Sequence, residues 1–274
     1  MKSNRLEAIR SHLYAHGPTS INDLSQAMNA SIATIRRDLA ELEEAGTVDR
    51  VHGGARLAQG SSVEIDFDMR EQQSISEKRS IATAAYQLIK PHSSVFLDAG
   101  TTVLQVASLL RIEPVPCLVF TNGLRVAQEL FNVPRVRINL VGGSLRNENA
   151  SFVGPLAEQM LHSIWIDTLM LGVGAIADDG VIYSIDSTEA RLNTTMIERS
   201  SRHIILATAG KFGHNATFAV GKVPKGAIII TSTLLGDEWH ERIREWGCEL
   251  IVTRPGSVPA TQNAVEVENA GPGI

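Results

Sequence analysis

SIATIRRDLAELEEAG, residues 31–46, decides how the amino-terminal part of this chain folds. Ser31 carries a hydroxyl of the kind that caps a helix start, and Gly46 suits the left-handed residue that ends one. At about 100° per residue, Ile32, Ile35, Leu39 and Leu42 fall in one stripe that must pack on something. Ala33, Thr34, Arg37 and Glu41 fall opposite, with Arg36 on a flank. The outward face near the helix start is therefore small, hydroxylic and cationic, while Glu41, Glu43 and Glu44 are held to the far end.

Upstream, two shorter helical patterns precede this one. Leu6, Ile9 and Leu13 mark a helix from about Asn4 to Ala15, broken by Gly17-Pro18. Ser20 and Asp23 have capping-box spacing ahead of a second helix carrying Leu24, Ala27 and Met28. Asn29 suits a left-handed corner. Downstream, residues 47–55 alternate and turn at Gly53-Gly54 like a two-stranded wing. Together these features predict a winged helix-turn-helix over 1–57. A recognition helix enters the major groove by its N-terminal turns. Thr34 and Arg37 are thus expected at base edges, Ser31 and Arg36 at phosphates, and Arg50, His52 and Arg56 on the neighbouring backbone or minor groove. A plain three-helix bundle with solvated arginines is the competing reading; four agreeing signals outweigh it.

Charge does not oppose a nucleic-acid partner. The 274 residues carry a net charge of −5, but residues 1–57 balance their cations and anions and leave the deficit to the remainder. Cys117 and Cys248 lie in apolar runs and read as buried small side chains of a reducing compartment. MKSNRLEAIR has no apolar core of a secretory signal, and no stretch is apolar for long enough to span a bilayer, so a cytoplasmic protein without a membrane association is expected.

Residues 58–75 are polar and irregular and read as a linker. From 76 to 254, short apolar β-rich runs (94–98, 118–121, 137–143, 168–174, 203–208, 227–231 and 249–253) alternate with helical stretches. That alternation predicts an α/β domain with a mostly parallel, Rossmann-like sheet and helices on both faces. Residues 255–274 lack periodicity and read as a flexible tail.

Parallel sheets gather ligands at the carboxyl ends of their strands. Asp98-Ala99-Gly100-Thr101-Thr102 ends one strand and opens a helix, offering N–H groups, two hydroxyls and a dipole end for a phosphate. Thr121-Asn122 and Gly142-Gly143 end two others. Arg146 and Lys211 are candidate phosphate partners, with a surface ion pair as the competing reading of each. Gly172-Val173-Gly174 lacks the third glycine of a dinucleotide fingerprint and reads as a tight turn, so no cofactor is expected. Nor is a metal.

ATIRRDLAELEEAGTVDRVHGGARL closely resembles the N-terminal signature of the DeoR family of bacterial sugar-metabolism regulators, through Thr34–Leu39 and His52–Ala55. The second part resembles the same family at Asp98, Gly100-Thr101-Thr102, Thr121-Asn122, Gly142-Gly143, Gly172–Ile176, Gly180, Glu189, Met196-Ile197 and Lys211-Phe212-Gly213. The resemblance implies an effector domain similar to ribose-5-phosphate isomerase. It also implies a repressor whose affinity for a double-stranded operator changes when a phosphorylated sugar or sugar derivative binds, with Glu189 among the effector residues; a homodimer or homotetramer is expected, to set two recognition helices about one helical turn apart. Thr208-Ala209-Gly210 stands where members commonly have Asp-x-Ser before the lysine. That departure counts against the alternative of a sugar-phosphate isomerase-like enzyme, because isomerisation needs a positioned carboxylate base. No catalytic residue is assigned.

Overall fold

The structure, a computed structural model, describes residues 2–51, 53–57 and 67–256. The first unit runs α1 (Lys2–His16), β1 (Thr19–Ser20), α2 (Ile21–Ala27), α3 (Ile32–Glu44), β2 (Val48–Val51) and β3 (Gly54–Leu57). Its helix ends form as the sequence predicts. The Ser20 hydroxyl accepts from Asp23 N (3.1 Å) and donates to the Asp23 carboxylate (2.7 Å). Asn29 takes a φ of 46° at the corner. Gly46 takes 67°, with Thr47 N bonded back to Leu42 O, a Schellman-type end for α3. Ile9, Leu13, Leu24, Ile35, Leu39, Leu42, Val48 and Ala55 close a core of their own. The wing has a third strand that sequence alone does not announce: β1 pairs with β3, giving the antiparallel order β1-β3-β2. Gly54 permits it, since a Cβ there would lie 2.2 Å from Thr19 O.

One element of the predicted stripe departs. Ile32 is 43% exposed, while Ile35, Leu39 and Leu42 are buried and are joined by Asp38. Ile32 is the first residue of the helix and projects past the body that the later turns pack against.

The second unit continues with α4 (Phe67–Gln72), α5 (Ile75–Tyr86), β4 (Ser94–Leu97), α6 (Thr101–Ile112), β5 (Cys117–Thr121), α7 (Leu124–Leu130) and β6 (Val136–Leu140). After these come β7 (Ser144–Arg146), β8 (Ser151–Val153), α8 (Pro155–His162), β9 (Ile166–Gly172), β10 (Ala175–Ile176), β11 (Val181–Ser184) and α9 (Ser187–Glu198). The unit closes with β12 (Ser200–Leu206), a short 3-10 turn at Ala209–Lys211, β13 (Phe218–Lys222), β14 (Ile228–Ser232), α10 (Glu238–Glu245) and β15 (Glu249–Thr253). Seven strands form one parallel sheet in the order β15-β14-β12-β9-β4-β5-β6. Side chains alternate across it: Val95 and Leu97 join α5, α6 and α7 on one face, and Phe96 joins α8, α9 and α10 on the other. Strand order reverses between β4 and β9, so the crevice that parallel sheets use for ligands opens there.

Sequence periodicity leaves several short elements unannounced: the β7–β8 hairpin, the small antiparallel sheet β10-β11-β13, and helices α4 and α5. Of the stretch read as linker, residues 58–66 lie outside the described residues, and 67–72 are helical. Phe67 is the reason, buried against the sheet with the Arg70 and Arg125 guanidinium groups each 5.9 Å from its ring. The expected tail lies outside the described residues from 257 onward. Among the described residues no helix is long and apolar enough to cross a membrane.

Candidate nucleic-acid interface and effector site

The outward face of α3 is built from the inside. Asp38, on the inner side, is buried and takes a bidentate ion pair from Arg5 of α1 (2.6 and 3.2 Å), which fixes the rotation of α3 on the body. Arg36 and Arg37 then point to solvent, and among the described residues neither side chain has a partner. Ser31 and Thr34 spend their polar groups on the helix start: the Ser31 hydroxyl accepts from Thr34 N (3.2 Å) and lies 2.9 Å from the Thr34 hydroxyl. Arg50, expected at the DNA backbone, is held against α3 by Arg36 O (2.8 Å) and Glu43 (3.4 Å). Arg56 pairs with Asp49 at 3.3 Å. His52 lies outside the described residues.

At the carboxyl edge of the large sheet, Asp98 sits in the crevice between β4 and β9. It is 4% exposed, and its Oδ2 accepts from Gly100 N and Gly172 N (both 3.2 Å), stapling the two strand ends together. Burial, then the nearby Glu189 carboxylate, push its carboxyl up to about 7 against the three backbone N–H groups that favour the anion. Gly100 starts α6 without a side-chain cap, so the first-turn N–H groups beside the buried Thr101 and Thr102 face the crevice. Thr121 accepts from Gly123 N, and Gly123 lets the next loop close in: a Cβ there would be 2.9 Å from Ala99 Cα. Gly142 is exposed, and Gly143 carries a φ of 151° where a Cβ would strike Val153 O. Asp98 Oδ1, Asn122 Oδ1 and Ser151 Oγ are buried at these strand ends with no hydrogen-bond partner among the described residues.

Arg146 and Glu189 meet. Arg146 lies 3.3 Å from Glu189 and 3.6 Å from Asp186, at 12% exposure, so its ion pair is part of the site wall and not of the surface. Ser184 donates to Glu189 (2.8 Å), and so does Asn149, which in turn accepts from Arg70 of α4 (2.7 Å). Lys211 sits on the turn after β12, near enough to Lys78 of α5 to help drive that amine down to about 8, after burial and together with Arg70. Lys78 donates to Arg70 O. Glu77 accepts from Ala209 N (2.6 Å) and from the Ser232 hydroxyl (2.7 Å), so a carboxylate from α5 reaches the loop whose own acid is replaced by Thr208.

Sequence reasoning missed Arg70, Glu77, Lys78, Asn149 and Ser151. The first three fall in or beside the stretch read as linker. Their signal was the cluster REQQSISEK itself, too charged for the buried place that Glu77 and Lys78 occupy.

Two family models match: the DeoR-like helix-turn-helix domain over residues 5–60 and the DeoR C-terminal sensor domain over 73–233. A protein of Escherichia coli O157:H7 named for transcriptional repression of the aga operon is 34% identical over 91% of this chain and 93% of its own. The HTH-type transcriptional repressor CsqR of Escherichia coli K12 is 33% identical over 86% of this chain and 90% of its own. The glycerol-3-phosphate regulon repressor of the same strain is 33% identical over 76% and 81% respectively. Among solved structures, ribose 5-phosphate isomerase A from Methanocaldococcus jannaschii is 11% identical over 49% of this chain and 53% of that one, with a TM-score of 0.37.

Proposed function

This chain belongs to the DeoR family of transcriptional regulators, and from that premise we propose a repressor of a carbohydrate-utilisation operon, relieved or reinforced by a phosphorylated sugar or sugar derivative. It is a DNA-binding regulator and not an enzyme. Its place is the cytoplasm, and it acts as a homodimer or homotetramer with two α3 helices about one helical turn of duplex apart.

The observation that carries the effector reading is the crowding of like charge beside unsatisfied acceptors. Burial first, then Lys211 and Arg70, lower the Lys78 amine more than Glu71 and Glu77 raise it, and a bound anion would add to the two carboxylates. At the strand ends, Asp98 Oδ1, Asn122 Oδ1 and Ser151 Oγ are buried with no hydrogen-bond partner among the described residues. Each such atom costs about 1–3 kcal/mol, and the hydroxyls of a sugar are donors of the right kind. Phosphate and polyol in one molecule satisfy both halves.

The same contacts supply a route to the DNA. Arg70 belongs to α4, the first described helix after the wing, and is clasped by Asn149 and by Glu148 O (3.2 Å). Asn149 holds Glu189, and Glu189 holds Arg146. A ligand that draws on Arg146, Glu189 or Lys78 therefore changes what grips α4. Only a differential affinity for two arrangements of that clasp shifts the operator equilibrium.

A thermal-denaturation panel of sugar phosphates, each beside its unphosphorylated sugar, tests the reading. At about 100 times its Kd a true effector adds about 2.7 kcal/mol of stability, a rise of roughly 5–10 °C. Thr101→Val and Lys211→Ala should lose that rise and the effector response in a gel shift while binding the operator as before. Arg70→Ala should shrink the rise and lose the response, the loss of response exceeding what weaker binding accounts for by about 1–2 kcal/mol of coupling. A panel in which no phosphate ester outperforms its parent sugar removes the effector class.

A further inference from the structure

The tip of α3 leaves an apolar side chain outside where base edges would be read. Ile32 is the first residue of the helix and is 43% exposed, although Ile35, Leu39 and Leu42 of the same stripe are buried. Ala33 beside it is exposed as well. The two hydroxyls at this end are already engaged with each other and with the helix start, Ser31 to Thr34 at 2.9 Å. What the first turn offers a groove is thus methyl surface, with the Arg36 and Arg37 guanidinium groups one turn behind.

We propose that Ile32 reads the C5-methyl group of thymine in the major groove and is a specificity-determining residue of operator recognition. The major groove presents one apolar feature, the thymine methyl, and apolar contact with it distinguishes T·A from the other pairs. A recognition helix enters by its N-terminal turns, the end that Ile32 occupies. An exposed isoleucine at such a place keeps about half its surface in water until a methyl covers it. Thr34, by contrast, has its hydroxyl committed to the cap and contributes to positioning the turn. This inference rests on α3 being the groove-entering helix.

The test uses the full-length protein and duplexes enriched by it from a randomised pool. Each thymine of the enriched site is then replaced by deoxyuridine, which lacks the C5-methyl group and nothing else. For the wild type, at least one thymine per half-site should cost about fourfold in affinity, the worth of one buried methyl. Ile32→Val should keep most of that effect. Ile32→Ala should bind the thymine duplex about fourfold more weakly and be indifferent to deoxyuridine there. Because Ile32 lies outside the hydrophobic core of its unit, both variants should melt with the wild type. A deoxyuridine profile that is the same in wild type and Ile32→Ala, or flat in both, overturns the assignment. Arg37→Ala separates the two levels of the argument: if it binds like wild type, α3 is not in the groove. If it weakens binding while the methyl profile is unmoved by Ile32, only the methyl reading fails.

Discussion

The two candidate sites of this molecule handle charge in opposite ways. On α3, Arg36 and Arg37 stand in solvent with no partner among the described residues, and the one buried charge beneath them, Asp38, is neutralised by Arg5. At the sheet edge, Arg146, Glu189, Asp186, Asn149 and Arg70 are already joined to one another, and the acceptors left without a hydrogen-bond partner among the described residues are Asp98 Oδ1, Asn122 Oδ1 and Ser151 Oγ. A polyanion along a groove brings its own charge density, so exposed cations on a rigid helix suffice. A small ligand in a buried crevice must replace interactions that the empty wall would otherwise lack, so the wall is built compensated, with a few acceptors left over.

If the regions are as separate as their cores, one can be broken without the other. Leu39 is fully buried in the cluster that holds α3, a cluster sharing no residue with the two that sandwich the large sheet. Leu39→Ala should cost about 2–5 kcal/mol in the winged helix alone, abolishing operator binding at 37 °C. Stabilisation of the second unit by its effector should be unaffected. An early transition without an effector response, followed by a later one that keeps it, is the pattern expected; a single lowered transition that takes the effector response with it would join the two regions.

The same contrast explains what could be read in advance. The DNA-facing unit was legible because its determinants are contiguous: cap, stripe, arginine pair and closing glycine all lie within residues 31–46, and only the helix period is needed to sort them. Even there, Ile32 broke the pattern, since period says which way a side chain points but not where the body ends. The sheet was legible too, because each buried parallel strand is a near-continuous apolar run. Of the proposed effector site, sequence offered only the glycine- and threonine-rich strand ends. Arg70, Glu77 and Lys78 approach from helices before the first strand, and Asn149 and Ser151 from a hairpin too short to show a period. They come together only once the fold brings those segments to the sheet.

Asp98 sharpens the comparison from the buried side. Its carboxyl titrates at about 7 in the folded protein against 3.8 for the ordinary group, because burial first and Glu189 second disfavour the anion. The folded state thus binds the extra proton between those limits, and stability falls as pH rises from about 4 to about 7, then levels. Asp98→Asn can keep an oxygen on Gly100 N and Gly172 N while removing the titration. The wild type should lose stability relative to this variant across that window, by on the order of a few kcal/mol. Urea denaturation at the two ends of the window measures it. A constant difference between the two proteins would mean that Asp98 stays ionised, and that the crevice is wetter than its burial implies.

Arg50 tests the exposed side, where the smallest change is expected. It lies at the boundary of the two behaviours: a wing arginine in sequence, yet a strut in the structure, bonded to Arg36 O and paired with Glu43. Both members of that pair are substantially exposed, so the pair itself is worth about 0.2–1 kcal/mol, and Arg50→Ala should lower stability by no more than that. Its effect on operator binding separates the roles. A strut acts through the set of α3, so the loss of affinity should be small and the same at every salt concentration. A phosphate contact would flatten the dependence of log affinity on log salt by about one. Titrations of wild type and Arg50→Ala across a salt series decide between them: parallel lines keep Arg50 with the scaffold that aims Arg36 and Arg37, and a shallower line moves it across to the DNA.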